Sequence, residues 1–320
     1  MTTDEVELPA LDGTNPLGFL AALGVLDVLH RAGREPVLRW TADLVPIPAV
    51  RGVTDENDLV ELIDADRARW QESVVLRGPS GTQLDDVKPP PTVHRSWAAE
   101  VAGTLDDTRA DADLFCALLA EGAVDGKGNG KPTHLHFTAG QQKFLVMVRE
   151  LASHVDAERI REAIAGPWRE DSPLPSLSWS SQGERSYALR AVNPSSEKRR
   201  GVPGADWLAF LGLAFFPTCA LTRNGGEQVS LKTTGCDRAW KRTALRWPLW
   251  TVSLERDTIW SLVGDTAVVG QDGAVGQDGR LSPAELHARG IRQVMQAPIR
   301  RSEQGGYGSF GGASVLVRGG

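Results

Sequence analysis

Two stretches of this 320-residue chain gather residue types able to hold a polyanion. The first is Gly122-Ala123-Val124-Asp125-Gly126-Lys127-Gly128-Asn129-Gly130-Lys131-Pro132. Glycines interleaved with Lys127 and Lys131 describe a pliable cationic loop that offers backbone N–H groups and ammonium charge to a phosphate. Lys143, in the second turn of the helix expected to follow, adds a third cation close to a helix N-terminus, where anions are favoured. The Gly-x-x-x-x-Gly-Lys-Ser/Thr pattern of a nucleotide triphosphatase is absent, since Lys131 is followed by Pro132. The tract therefore reads either as a phosphate-binding loop or as a surface hairpin kept soluble by lysine.

The second stretch runs from Arg238-Ala239-Trp240-Lys241-Arg242 into Leu245-Arg246-Trp247-Pro248-Leu249-Trp250. Cations beside indoles suit backbone phosphates together with base stacking or cation–π pairing. Lys198-Arg199-Arg200 and Arg300-Arg301 add charges able to track a polyanion. The alternative is that the tryptophans are core and the cations line a solvated face. The expected nucleic-acid-binding set is Lys127, Lys131, Lys143, Lys198, Arg199, Arg200, Arg238, Trp240, Lys241, Arg242, Arg300 and Arg301.

His134 and His136, two apart on an expected strand, share a face as metal ligands can. Further ligands would have to come from His94, His154 or an acidic residue. Half-buried histidines on a strand are the competing explanation. No Gly-x-Ser-x-Gly elbow, dinucleotide fingerprint or isolated pair of carboxylates appears, so no cofactor is expected and no catalytic residue stands out. The doubled Gly-Gln-Asp-Gly of 269–280 has too few oxygens for an EF-hand and reads as a turn or an insertion.

The elements that must position these residues follow from local patterns. Asn15 and Pro16 open an all-round apolar helix over 16–31, and a second such helix spans 207–216, capped by Asp206. Further helices are expected at 55–72, 109–122, 157–165 and 257–263. Another begins at the Thr138/Gln141 capping box, and one from the Ser282/Glu285 box is expected to reach about 296. Strands are expected at 37–40, 133–137, 187–192, 229–234, 245–254 and 314–317. Proline-rich loops are expected at 78–97 and 170–182, and the 122–132 tract is expected to hold no regular structure.

These elements make an α+β fold of mixed helices and short antiparallel sheets in two lobes, 1–180 and 181–320, or one compact unit. The aromatic-Leu-Ala-x-Leu-Gly pattern occurs at 19–24 and again at 207–212, and Leu-Arg-Trp follows each, at 38–40 and 245–247. That is either a degenerate internal duplication or coincidence among common residues. The net charge of −6 is unevenly spread: residues 1–184 hold 17 basic against 30 acidic side chains, and the remainder 18 against 11. That split reads either as a bipolar surface, one side facing an anionic or acidic partner, or as an uneven scatter of charge over loops and helices. Three scattered cysteines exclude a disulfide framework. No apolar run reaches the roughly 18 residues of a membrane helix, and the first residues are acidic, so a cytoplasmic protein without membrane contact is expected.

The opening Leu11-Asp12-Gly13-Thr14-Asn15-Pro16-Leu17-Gly18-Phe19-Leu20-Ala21-Ala22-Leu23-Gly24-Val25-Leu26 resembles the start of accessory and large-subunit proteins of type I-G (formerly I-U) CRISPR systems. Asp125 to Gly128, His136 to Leu145 and Trp247-Pro248-Leu249-Trp250 look like the same group. The chain is shorter than a large subunit, and the matching motifs are structural. The resemblance implies a non-catalytic component of an RNA-guided antiviral effector complex, with guide RNA and/or target DNA and other CRISPR effector subunits as partners. A metal-dependent hydrolase or nuclease using His134 and His136, or a purely protein-binding scaffold, are the alternatives.

Overall fold

Asn15 and Pro16 start the first long helix as their chemistry dictates. The computed structural model describes residues 5–138, 141–169, 171–181, 201–223, 228–239, 242–270, 281–301 and 308–320, with backbone alone at 223, 228, 237–239 and 242. Strand β1 (Val6–Glu7) leads to α1 (Pro16–Arg31), where the Asn15 side chain accepts the Leu17 N–H at 3.2 Å. Every residue from Pro16 to Leu29 is buried. Strands β2 (Val37–Trp40) and β3 (Pro48–Arg51) form a hairpin, followed by α2 (Glu56–Trp70) and the single turn α3 (Val74–Arg77).

The 78–97 stretch is not all loop. Pro91 is the first residue of α4 (Pro91–Ala102), the helical position that lacks nothing without an N–H. His94, Trp97 and Val101 form its buried stripe. The next helix, α5 (Ala110–Leu118), ends four residues earlier than expected and runs directly into β4 (Leu119–Val124). Strand β4 pairs with β5 (Gly130–Pro132), so the glycine tract is a hairpin. Gly128 supplies a φ of +83° at its turn, and the Asp125 carboxylate accepts the Lys127 and Asn129 N–H groups at 2.8 and 3.0 Å.

No strand forms at 133–137; the His136 N–H turns back to the Thr133 carbonyl at 3.1 Å. Helix α6 (Phe144–His154) begins beyond the Thr138/Gln141 pair, with Lys143 at its N-cap and no side-chain cap. Its free Leu145 and Val146 N–H groups find the Asp85 carbonyl at 3.0 and 3.3 Å, which does the work of a capping box. Helix α7 (Ala157–Ala165) follows, capped by Asp156.

Beyond residue 200 come α8 (Pro203–Gly212), a 3-10 turn over Leu213–Phe215, and the hairpin β6 (Thr218–Arg223) with β7 (Gln228–Thr233). Asp206 is not the cap of α8: it is fully buried inside the first turn and accepts the Leu177 N–H at 3.2 Å. Next are β8 (Cys236–Ala239), β9 (Arg242–Trp250), β10 (Leu254–Glu255), α9 (Arg256–Gly264) and α10 (Thr266–Val269). The Ser282/Glu285 capping box forms at α11 (Pro283–Ala288), but that helix stops after six residues. Gly290, at φ +73°, then turns the chain into β11 (Ile291–Arg301), which pairs with β12 (Gly308–Phe310), β13 (Ser314–Arg318) and β9. Ile291, Val294 and Met295, inside the helix expected to reach about 296, are buried residues of a strand paired with β9. The expected strand at 187–192 and residues 271–280 of the repeat lie outside the described residues.

The fold is α+β, with one sheet ordered β1-β3-β2-β10, another ordered β12-β11-β9-β8, and the two separate hairpins. One hydrophobic core runs from Leu8 to Phe310 and takes side chains from both sides of residue 180. Leu174, Leu177 and Trp179, from the stretch read as a proline-rich loop, belong to it. At its centre α1 crosses α8 through two glycines. A Cβ on Gly24 would lie 1.9 Å from the Leu208 carbonyl oxygen, and a Cβ on Gly212 would lie 2.0 Å from that of Leu20. The contact is reciprocal between equivalent positions of the two aromatic-Leu-Ala-x-Leu-Gly patterns, as an isologous pair would be. Trp40 and Trp247, the ends of the two Leu-Arg-Trp triplets, lie 5.7 and 5.8 Å from the Phe19 ring. Among the described residues no helix is long and apolar enough to cross a membrane.

Candidate nucleic-acid interface

The end of β5, the 133–138 turn, β7, the last residue of β11 and the Asp86–Lys88 loop enclose a cleft of about 380 Å³. Lys88, Lys131, His134, His136, Thr138, Ser230 and Arg301 line it, together with Pro132, Thr133 and Leu231. Four of the residues singled out in the sequence therefore meet at one place, although Arg301 is 165 positions from His136.

Arg301 builds the floor. Its guanidinium donates to the His134 carbonyl at 3.0 Å and the His136 carbonyl at 3.2 Å, and lies over the Phe137 ring at 5.8 Å. Phe137 is buried edge-on against Phe310 at 4.9 Å, which fixes the platform. Arg301 keeps accessible surface, yet the protein packed around it removes enough water to hold its guanidinium below its ordinary pKa. Among the described residues no carboxylate pairs with Arg301 or with Lys131.

The walls are tied by hydroxyls. Thr233, fully buried at the end of β7, accepts the His134 N–H at 3.0 Å, lies 2.9 Å from His134 Nδ1, and meets the Thr133 hydroxyl at 3.2 Å. His136 Nε2 is 2.6 Å from Asp86 Oδ1 and 3.0 Å from the Thr138 hydroxyl. Burial pushes the His136 imidazole below its ordinary pKa despite the pull of Asp86, so the ring is neutral and donates to the carboxylate. Burial alone would raise Asp86, but its hydrogen bond with His136, Lys88 at 3.4 Å and the Val87 N–H at 2.9 Å together keep it below the ordinary carboxylate value.

The remaining sequence candidates lie elsewhere. Lys127 is exposed at the β4–β5 turn, where its own N–H and that of Asn129 face Asp125 and not the solvent. Lys143 is exposed at the N-cap of α6, not in the second turn. Arg300 is exposed one residue before Arg301 on β11. Arg238 and Arg242 belong to the β8–β9 hairpin, described there as backbone alone. Lys198, Arg199, Arg200, Trp240 and Lys241 lie outside the described residues. Trp247 and Trp250 are completely buried, their indole N–H groups donating to the carbonyls of Gly13 and Leu38, so they offer no face for a base. Among the described residues no group of three or more His, Cys, Asp or Glu side chains converges as a metal site would require.

Sequence reasoning missed Lys88, Asp86, Thr138 and Ser230. Lys88 stood in a proline-rich stretch, and no spacing pattern joins it to a loop more than forty residues later. Comparisons with known proteins find no family model and no curated protein that matches the chain.

Proposed function

We propose that the protein is a non-catalytic, cytoplasmic component of an RNA-guided antiviral effector complex of CRISPR type I-G character, contacting nucleic acid and neighbouring subunits. The observation that carries this reading is the cleft in which Lys131 and Arg301 stand beside Lys88 without an ion pair to a carboxylate among the described residues. Cations gathered in one concave site with few carboxylates against them among the described residues suit an external anion, and phosphate is the anion of nucleic acid. The resemblance of the first helix and the glycine–lysine tract to type I-G proteins supplies the biological context. The acidic surplus of residues 1–184 suits a basic neighbouring subunit.

The test is the salt dependence of binding to single-stranded RNA and to duplex DNA. Each lost phosphate contact flattens the log–log slope by about one unit, so Lys131→Ala should lower affinity and remove about one unit of slope. If neither the purified protein nor its assembled complex binds nucleic acid at low salt, the reading fails and a protein-binding scaffold takes its place.

A further inference from the structure

We propose that the cleft at Lys88, Lys131 and Arg301 is a pocket for a terminal phosphate, the phosphomonoester at a strand end, in preference to an internal phosphodiester. This inference rests on the nucleic-acid reading above and narrows it.

Charge is the first ground. Lys88 is answered by Asp86 at 3.4 Å, while Lys131 and Arg301 form no ion pair among the described residues, Lys131 interacting only at longer range with Asp125. Asp86 is also committed to the neutral His136. Among the described residues the cleft thus carries Lys88, Lys131 and Arg301 against the one adjoining carboxylate of Asp86, a surplus of two positive charges. An internal diester brings one negative charge, whereas a phosphomonoester brings about 1.5 to 2 at pH 7. The terminal group matches that surplus more closely than the diester does.

The lining is the second ground. Among the described residues no Phe, Tyr, Trp, Asn or Gln lines the cleft. The planes on which a base could stack are already committed: His134 to Thr233, the buried His136 to Asp86, and the Arg301 guanidinium to two backbone carbonyls. Lysine, arginine, threonine and serine instead address the sugar and phosphate. The volume of about 380 Å³ lies in the range of pockets that enclose one small ligand.

Preorganisation is the third. The two carbonyl contacts and the Phe137 ring hold the Arg301 plane in place with N–H groups to spare. A guanidinium fixed in this way can meet two oxygens of a phosphate side by side without ordering a flexible chain first. Lys131, on the short strand β5, approaches from the hairpin wall, and the Thr138 hydroxyl stands beside His136.

The experiment compares one short single-stranded oligoribonucleotide carrying a 5′-phosphate, a 3′-phosphate or hydroxyls at both ends, with affinity read by anisotropy at a fixed low salt. Inorganic phosphate and a nucleoside monophosphate serve as competitors. One phosphorylated form should bind at least about tenfold more tightly than the hydroxyl-ended form. The monophosphate should compete with that form better than inorganic phosphate does. Lys131→Ala should bring the ratio close to one, and Lys88→Ala should reduce it less, because Lys88 already has a partner. Both lysines are side chains of surface segments, and unchanged melting curves would certify the variants. Equal affinity for all three oligonucleotides would overturn the terminal-phosphate assignment while leaving nucleic-acid binding intact. Binding of none of them would overturn both. Competition by inorganic phosphate alone, without any end preference, would reduce the cleft to a simple anion site and overturn the assignment.

Discussion

His136 has only 2% of its surface exposed and sits between Asp86, Thr138 and the Phe144 ring at 5.1 Å. Burial keeps its pKa below the ordinary imidazole value of about 6.5. In the unfolded chain the same ring takes up a proton as pH falls through about 6.5, while in the folded protein it stays neutral. The unfolded state then binds more protons, so the His136 contribution is complete above that pH and is lost progressively below it. His94, buried against Phe115 at 5.5 Å, is pushed the same way by desolvation. The urea midpoint should therefore fall between pH 7.5 and 5.5, and His136→Gln should fall less steeply, the remaining slope belonging to His94. An unaltered slope in that variant would place the protonation elsewhere. At this scale the sequence made the His134–His136 neighbourhood legible because two positions apart is a local relation. Their partners Thr233 and Asp86 were not legible, since only the closure of the β6–β7 hairpin and the 85–88 loop onto the turn creates those contacts.

Helix ends illustrate what local pattern can and cannot decide. Asn15, Asp55, Asp156 and Ser282 all cap helices as their types require. Thr138 and Gln141 form no cap, because the amides at the start of α6 are taken by the carbonyl of Asp85 from a distant loop. In the same way Gly290 ends α11 early, and the β11 residues that follow are claimed by pairing with β9 and β13. Tertiary contact overrode the periodic reading in both places. The glycines of α1 and α8 reverse the lesson: their place in a repeated pattern was visible, but the reason for them was not. Ordinarily Gly→Ala inside a helix stabilises it by about 1 kcal/mol through backbone entropy and helix propensity. At Gly24 the added Cβ would lie 1.9 Å from a backbone oxygen, which no rotamer relieves, so the helices must separate. Gly24→Ala and Gly212→Ala should each destabilise by about 1–3 kcal/mol, the cost of overpacking. Gly126→Ala, with nothing within 4 Å, should be near neutral and serves as the control. Thermal melts that rank the two helix variants with the control would refute the close crossing.

At the scale of the whole molecule, the charge asymmetry of the sequence is partly answered inside the protein. Asp27 is a carboxylate among the apolar buried residues of α1, and its side chain is 4% exposed. It receives Arg31 from the next turn and Arg256 Nε from α9 at 2.7 Å. Arg256 Nη2 also reaches Asp113 of α5 at 2.9 Å, while Arg31 grips Asp66 of α2 through two nitrogens at 2.7 and 2.9 Å. A guanidinium from the basic part of the chain thus neutralises two acids of the acidic part. The separate totals were plain in the sequence, but that they meet in one buried network was not, because Arg256 and Asp27 are 229 positions apart. The network also predicts how the two parts respond to damage. Arg256→Ala leaves Asp27 with Arg31 alone and strips Asp113 of its better-buried partner, for which a loss of about 1–3 kcal/mol is expected. Asp27→Asn should lose a comparable amount, and the double variant should lose clearly less than the sum, since the second change removes a group already without its partner. Because α1 and α8 share one core across this network, the denaturation of Arg256→Ala should remain a single transition at a lower midpoint. Two separated transitions would mean that Arg256, and not the shared core, joins the two parts of the chain, and strictly additive losses in the double variant would mean that Arg256 and Asp27 do not act as a pair.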